Sequence, residues 1–104
     1  MKLESLARVK ALENEIKGFG SKKGMLFRQI HSSVGAYLYE IKDNGLIHYE
    51  TFKRRKTALC VSFEKREYSE TEFKEKYPRD NDFGKWAWCY KDKQMALDKF
   101  NSLA

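Results

Sequence analysis

Four consecutive cations, Lys53-Arg54-Arg55-Lys56, form the densest charge in the chain. Mutual repulsion keeps such side chains out of a core and leaves them free to meet phosphate oxygens. Lys22 and Lys23, in a glycine-rich stretch, and Arg28 extend this nucleic-acid-binding set. The structural alternative is a basic turn that guards a sheet edge against unwanted pairing. Aromatic residues supply a second chemistry. Tyr37, Tyr39, Tyr49, Trp86, Trp88 and Tyr90 fall on alternating positions, the arrangement in which rings stack on bases for ~1–3 kcal/mol each. The same rings suit the apolar sheet face that packed helices require, and that core role is the one we expect for most of them.

Metal chemistry is not expected. His31, His48, Cys60 and Cys89 offer nitrogen and sulfur ligands but lie 17, 12 and 29 residues apart, without the short Cys-x-x-Cys or His-x-x-x-His pairs that preorganise a zinc site. Cys60 and Cys89 read as small buried residues on the faces of Ala58 and Ala87. Asp80 and Asp82 sit beside Arg79, the composition of a solvated turn more than of an acid/base pair. The stretch from Gly18 to Gly24 is glycine-rich but follows a helical pattern and fits neither phosphate-loop spacing, so it reads as a connector. With no nucleophile placed beside a base, no catalytic residue and no cofactor is expected.

The elements that must position these residues follow from periodicity. Leu3, Leu6, Val9, Leu12 and Ile16 recur every three or four residues and predict an N-terminal helix ended by Gly18. Residues 25 to 33 favour a strand. Val34 to Arg54 reads as a hairpin around Asp43-Asn44-Gly45, where a three-residue loop sets Ile41 opposite Ile47, Tyr39 opposite Tyr49, and Glu40 opposite His48. A two-residue loop would mix charge into the apolar face. A third strand runs from Ala58 to Glu64, and Ser69-Glu70-Thr71-Glu72 is a capping box that predicts a short helix to Tyr77 before Pro78. A fourth strand from Lys85 to Tyr90 and a last helix, capped by Asp92 with a stripe of Met95, Ala96, Phe100 and Leu103, complete the chain.

The expected fold is therefore α+β, in the order α-β-β-β-(short α)-β-α: an antiparallel sheet of about four strands with N- and C-terminal helices packed on one face. At 104 residues, 41% hydrophobic and 14% aromatic, the chain is one domain's worth of protein and falls outside the disordered and collagen-like classes. No apolar run nears the ~20 residues that span a bilayer, and two cysteines fit a reducing compartment, so a cytoplasmic protein that avoids membranes is expected. The formal charge is +6, and acidic residues outnumber basic ones only between 64 and 84.

The string Tyr49-Glu50-Thr51-Phe52-Lys53-Arg54-Arg55, then Tyr77-Pro78 and Phe83-Gly84-Lys85-Trp86-Ala87-Trp88, resembles small uncharacterised proteins of bacteriophages and bacterial mobile elements. The resemblance covers about the C-terminal half and implies a bacterial or phage setting. The expected element order is also similar to that of the double-stranded-RNA-binding domain, with an added strand and short helix, and without that family's lysine cluster at the start of the last helix, here Lys91-Asp92-Lys93-Gln94.

These readings converge on a small basic protein that binds nucleic acid through the Lys53–Lys56 turn. A host protein is the alternative partner, anchored on an exposed Trp or Tyr. An unpaired sheet edge leaves room for a homodimer.

Overall fold

The computed structural model describes residues 8–18, 22–62, 64–65 and 67–103. They form strands β1 (Arg8–Lys10), β2 (Glu15–Lys17), β3 (Met25–Ser32), β4 (Ala36–Asp43), β5 (Leu46–Lys53), β6 (Lys56–Ser62), β7 (Glu67–Glu75) and β8 (Ala87–Tyr90), and helix α1 (Lys93–Leu103). A five-stranded antiparallel sheet has the order β2-β3-β4-β5-β8, and a second sheet has the order β1-β7-β6. The chain divides into two compact units. One comprises the described residues up to Leu12 together with Arg55–Tyr77; the other comprises Glu13–Arg54 and Pro78 onward.

The architecture is thus mostly β, which corrects the expected sheet with two flanking helices. Arg8–Lys10 and Glu15–Lys17 are strands where a helix was expected; residues 1–7 lie outside the described residues. Spacing of three or four apolar residues is also met by short strands separated by a bend. A helix of this length gains little by itself, whereas each strand here gains a ladder. β1 pairs in parallel with β7, Val9 opposite Phe73; β2 pairs with β3, Ile16 opposite Phe27; and Leu12 N donates to Glu75 Oε1 at 3.4 Å. The capping box of Ser69 and Glu72 gives way for the same reason. β7 lies between β1 and β6, with Glu72–Lys74 laddered to β1 and Phe73–Glu75 to β6, so the segment runs extended in place of a helix. Without an N-terminal helix, the similarity to the double-stranded-RNA-binding order has no footing.

The β4–β5 hairpin corrects the expected register. Asn44 and Gly45 have φ of 51° and 87°, the two positive values of a type I′ two-residue loop, whose twist matches that of the strands it joins. Ile41 therefore stands opposite His48, Tyr39 opposite Glu50, Glu40 opposite Tyr49 and Lys42 opposite Ile47. Burial favoured the longer loop, and turn chemistry decided against it. The polar side chains brought onto the apolar face tolerate it because they satisfy one another, with His48 Nε2 3.2 Å from Glu50 Oε2.

The C-terminal helix lies where it was expected. Asp92 Oδ1 accepts from Gln94 N at 2.8 Å and caps it. Ala96, Leu97, Phe100 and Leu103 pack on Ala36, Leu38, Ile30, Tyr49 and Tyr90, and buried Thr51 ties the sheet to the helix by donating from Oγ1 to Ala96 O at 3.0 Å. Met95, expected in that stripe, is exposed. The opposite face of the sheet holds Phe27, Tyr37, Tyr39, Ile41 and Phe52, all buried, with Trp86 packed edge-on against Phe52 at 6.3 Å between ring centroids. Tyr39 and Phe52 stack at 5.7 Å. The Tyr39 hydroxyl donates to Glu13 O at 2.6 Å and accepts from Gln29 Nε2 at 3.0 Å. Among the described residues no helix is long and apolar enough to cross a membrane.

Candidate cationic surface

The four consecutive cations fall on the boundary between the two compact units. Lys53 and Arg54 close β5 in one unit, while Arg55 and Lys56 open the other. Lys53 is exposed. Arg54 is half-buried, its guanidinium 4.6 Å from the Tyr37 ring centroid while Nη1 donates to Ser33 O at 2.8 Å. A guanidinium held by both a ring face and a carbonyl closes the edge of the core. Lys56 Nζ lies 4.8 Å from the Phe73 ring centroid, so its ammonium charge rests on a ring face.

The supporting cations sit at the other end of the five-stranded sheet. Lys22 and Lys23 belong to the β2–β3 connection, and Lys53 and Arg54 to the far end of β5, so the length of a strand separates the pairs. Lys22 Nζ is 3.7 Å from Asp80 Oδ1 and 5.9 Å from the Phe27 ring centroid. Arg28 Nη2 donates to Glu40 Oε1 at 3.1 Å. Lys23 is exposed.

Two lysines that the sequence reading passed over join this end. Cross-strand partners in an antiparallel ladder share a face. Lys17 stands opposite Leu26, Leu26 opposite Lys42, and Lys42 opposite Ile47, which makes one row across four strands on the face that α1 covers further along. Lys17 and Lys42 are exposed, and Ile47 is 47% exposed. Beside this row, Glu15, Leu26, Arg28, Glu40 and Lys42 line a shallow groove of about 200 Å³. Single, well-spaced lysines carry no local motif. Their alignment depends on the β2–β3 and β3–β4 registers, and Lys17 falls in a segment whose spacing predicts a helix.

Most of the aromatic set is core. Tyr37, Tyr39 and Trp86 are buried, and Tyr49, Trp88 and Tyr90 are half-buried, with Lys99 Nζ 3.9 Å from the Trp88 ring centroid. Buried rings offer no platform for bases. Asp82 caps its own turn by accepting from Arg79 N at 2.9 Å, and exposed Asp80 meets Lys22 at the surface.

His31, His48 and Cys89 do not assemble as one ligand set. His31 packs its ring 5.7 Å from that of Phe100, while Cys60 belongs to β6 in the other unit, its side chain outside the described residues. Cys89, expected to be buried like Ala87, is exposed. His48, expected opposite Glu40, pairs instead with Glu50. Glu50 is directly opposite Cys89 across the β5–β8 ladder. Partial burial and then the Glu50 carboxylate push the Cys89 thiol above its ordinary value, with Lys91 pulling the other way. Compared with known proteins, the chain matches no protein-family model, no curated protein and no solved structure.

Proposed function

We propose that this is a cytoplasmic, non-catalytic binding protein of phage or mobile-element setting that holds nucleic-acid phosphates at the turn end of its five-stranded sheet. The observation that carries the reading is the row of Lys17, Leu26, Lys42 and Ile47. Its two ammonium groups rise from strands roughly 9–10 Å apart, and exposed Lys23 lies in the connection beside them. Among the described residues no carboxylate engages Lys17, Lys23 or Lys42, so a polyanion meets them without first breaking an ion pair. Arg28, Lys22 and Arg54 contribute less, because Glu40, Asp80 and Ser33 already hold them.

The test is binding to single-stranded and duplex DNA and RNA across a salt titration. Three phosphate contacts give a slope of roughly −2 to −3 in log affinity against log salt, and replacing Lys17, Lys23 and Lys42 together with Ser flattens it. A salt-independent constant, or one unmoved by the triple replacement, overturns the reading. A second reading rests on the exposed Leu46 and Ile47 at the same hairpin, which suit a protein partner. A nuclease-resistant complex lost in Leu46→Asp supports it.

A further inference from the structure

His48, Glu50 and Cys89 converge on the sheet face opposite α1. His48 and Glu50 point the same way because they are two apart on β5, and Cys89 joins them as the cross-strand partner of Glu50 on β8. The imidazole, carboxylate and thiol ligand atoms all lie within 4.8 Å of one another, and His48 Nε2 and Glu50 Oε2 are already 3.2 Å apart. Glu50 is 8% exposed, His48 half-buried and Cys89 open to solvent, so the cluster has a closed floor and one accessible side. All three residues belong to the same compact unit.

We propose that these three side chains form a binding site for a divalent transition-metal ion of zinc type, with water completing the coordination.

The donor set selects that class. A thiolate disfavours magnesium and calcium, and a single thiolate with imidazole and carboxylate matches the borderline character of zinc(II). Tetrahedral zinc with bonds of ~2.0–2.3 Å places its ligand atoms about 3.4–3.6 Å apart. The His48–Glu50 separation is already near that value. The remaining closure, from at most 4.8 Å, requires a movement of about 1 Å that rotation of the exposed Cys89 side chain supplies. On binding, the thiol proton leaves to solvent and the sulfur lone pair forms the metal–sulfur bond, while the proton shared by His48 Nε2 and Glu50 passes to imidazole Nδ1, which frees the Nε2 lone pair and the carboxylate for the metal. The two anionic ligands then neutralise the ion, which makes the site tolerable beside the buried Tyr39 and Ile41. Three protein ligands leave a fourth position open toward the solvent side.

The two-residue turn at Asn44-Gly45 fixes the register of β5, the strand that carries two of the three ligands. The spacing of 2 residues between His48 and Glu50 and the distant Cys89 explain why no sequence motif announces the site. It exists only in the register that pairs Glu50 with Tyr39 on one side and with Cys89 on the other.

The test uses the full chain stripped with a chelator, then titrated with Zn2+ by calorimetry and with Co2+ by absorption. Expected are one ion per chain at micromolar affinity or tighter, tetrahedral cobalt bands in the visible, and a thiolate-to-cobalt charge-transfer band. Cys89→Ser removes that band and weakens zinc at least ~10-fold, His48→Ala weakens it similarly, and Cys60→Ser leaves both intact. Circular dichroism confirms that the variants are folded, and the two substituted side chains lie far enough from full burial to keep them so. No binding by the stripped chain, zinc affinity unchanged in both Cys89→Ser and His48→Ala, or a charge-transfer band that follows Cys60 overturns the proposal.

Discussion

Tyr39 stands directly opposite Glu50 in the β4–β5 ladder, a fully buried aromatic ring beside a carboxylate on the same face of the sheet. The pairing is costly unless the carboxylate is satisfied, and His48 meets it at 3.2 Å. The type I′ turn at Asn44-Gly45 imposes this arrangement, and several measurable consequences run from it.

Gly45→Ala forces an L side chain to φ 87° with no contact to blame, since nothing lies within 4 Å of the added Cβ. The left-handed backbone alone costs about 1–2 kcal/mol. Urea unfolding should show a lower midpoint at unchanged slope, whereas Gly45→Asn should lose less.

Tyr39→Phe removes one hydroxyl that both donates to Glu13 O and accepts from Gln29 Nε2. A buried group left without its partner costs about 1–3 kcal/mol. Thermal unfolding should register a loss in that range, and faster amide exchange should accompany it in β2 and β3.

Thr51→Val keeps shape and volume in a fully buried position while deleting the bond to Ala96 O. The expected loss is about 0.5–1.5 kcal/mol. Because this bond joins the sheet to α1, helix exchange protection should fall before that of β4 and β5.

In metal-stripped protein, Cys89 should react with iodoacetamide more slowly than an unperturbed thiol at pH 8, because burial and Glu50 both disfavour its thiolate. Glu50→Gln should speed the reaction, and mass spectrometry of the modified peptide reads both rates. The folded thiol holds its proton more tightly than the unfolded one. Its stabilising contribution is therefore present below the unfolded pKa and is lost as pH rises through the folded value.

Strands with alternating residues and a helix with a clear cap were legible: β3, β4, β5 and α1 occupy the segments their patterns indicate. Asp92 is a local signal acting on its own turn, so it transfers directly. β1 was illegible because its ladder sets Val9 opposite Phe73, a partner far along the chain, and no local window of sequence contains both. Ser69 and Glu72 make a valid local cap that loses to two flanking ladders. In the candidate site, Asn44-Gly45 is a strong short hairpin signal whose two-residue loop outweighs the pairing of Tyr49 and Ile47 with apolar partners, so His48 lies on the face of Ile41 and Tyr39. The Lys17–Lys42 row rests instead on the β2–β3 and β3–β4 registers, and the approach of Cys89 on the β5–β8 register, none of which that turn sets. A polar pair placed on an apolar face against the pattern marks where function is to be sought.

The pairing of β1 with β7 also has a consequence for biosynthesis. Arg8 emerges 64 residues before its partner Glu72, and at ~5–20 residues per second a ribosome needs roughly 3–13 s to deliver the second strand after the first. The consecutive hairpins of β2 to β5 need no such interval and can zip up as they appear. During that interval β1 is a strand in waiting, so slowed translation across the segment between β5 and β7 should raise the yield of misassembled chains, while chaperones that shield nascent β edges should lower it.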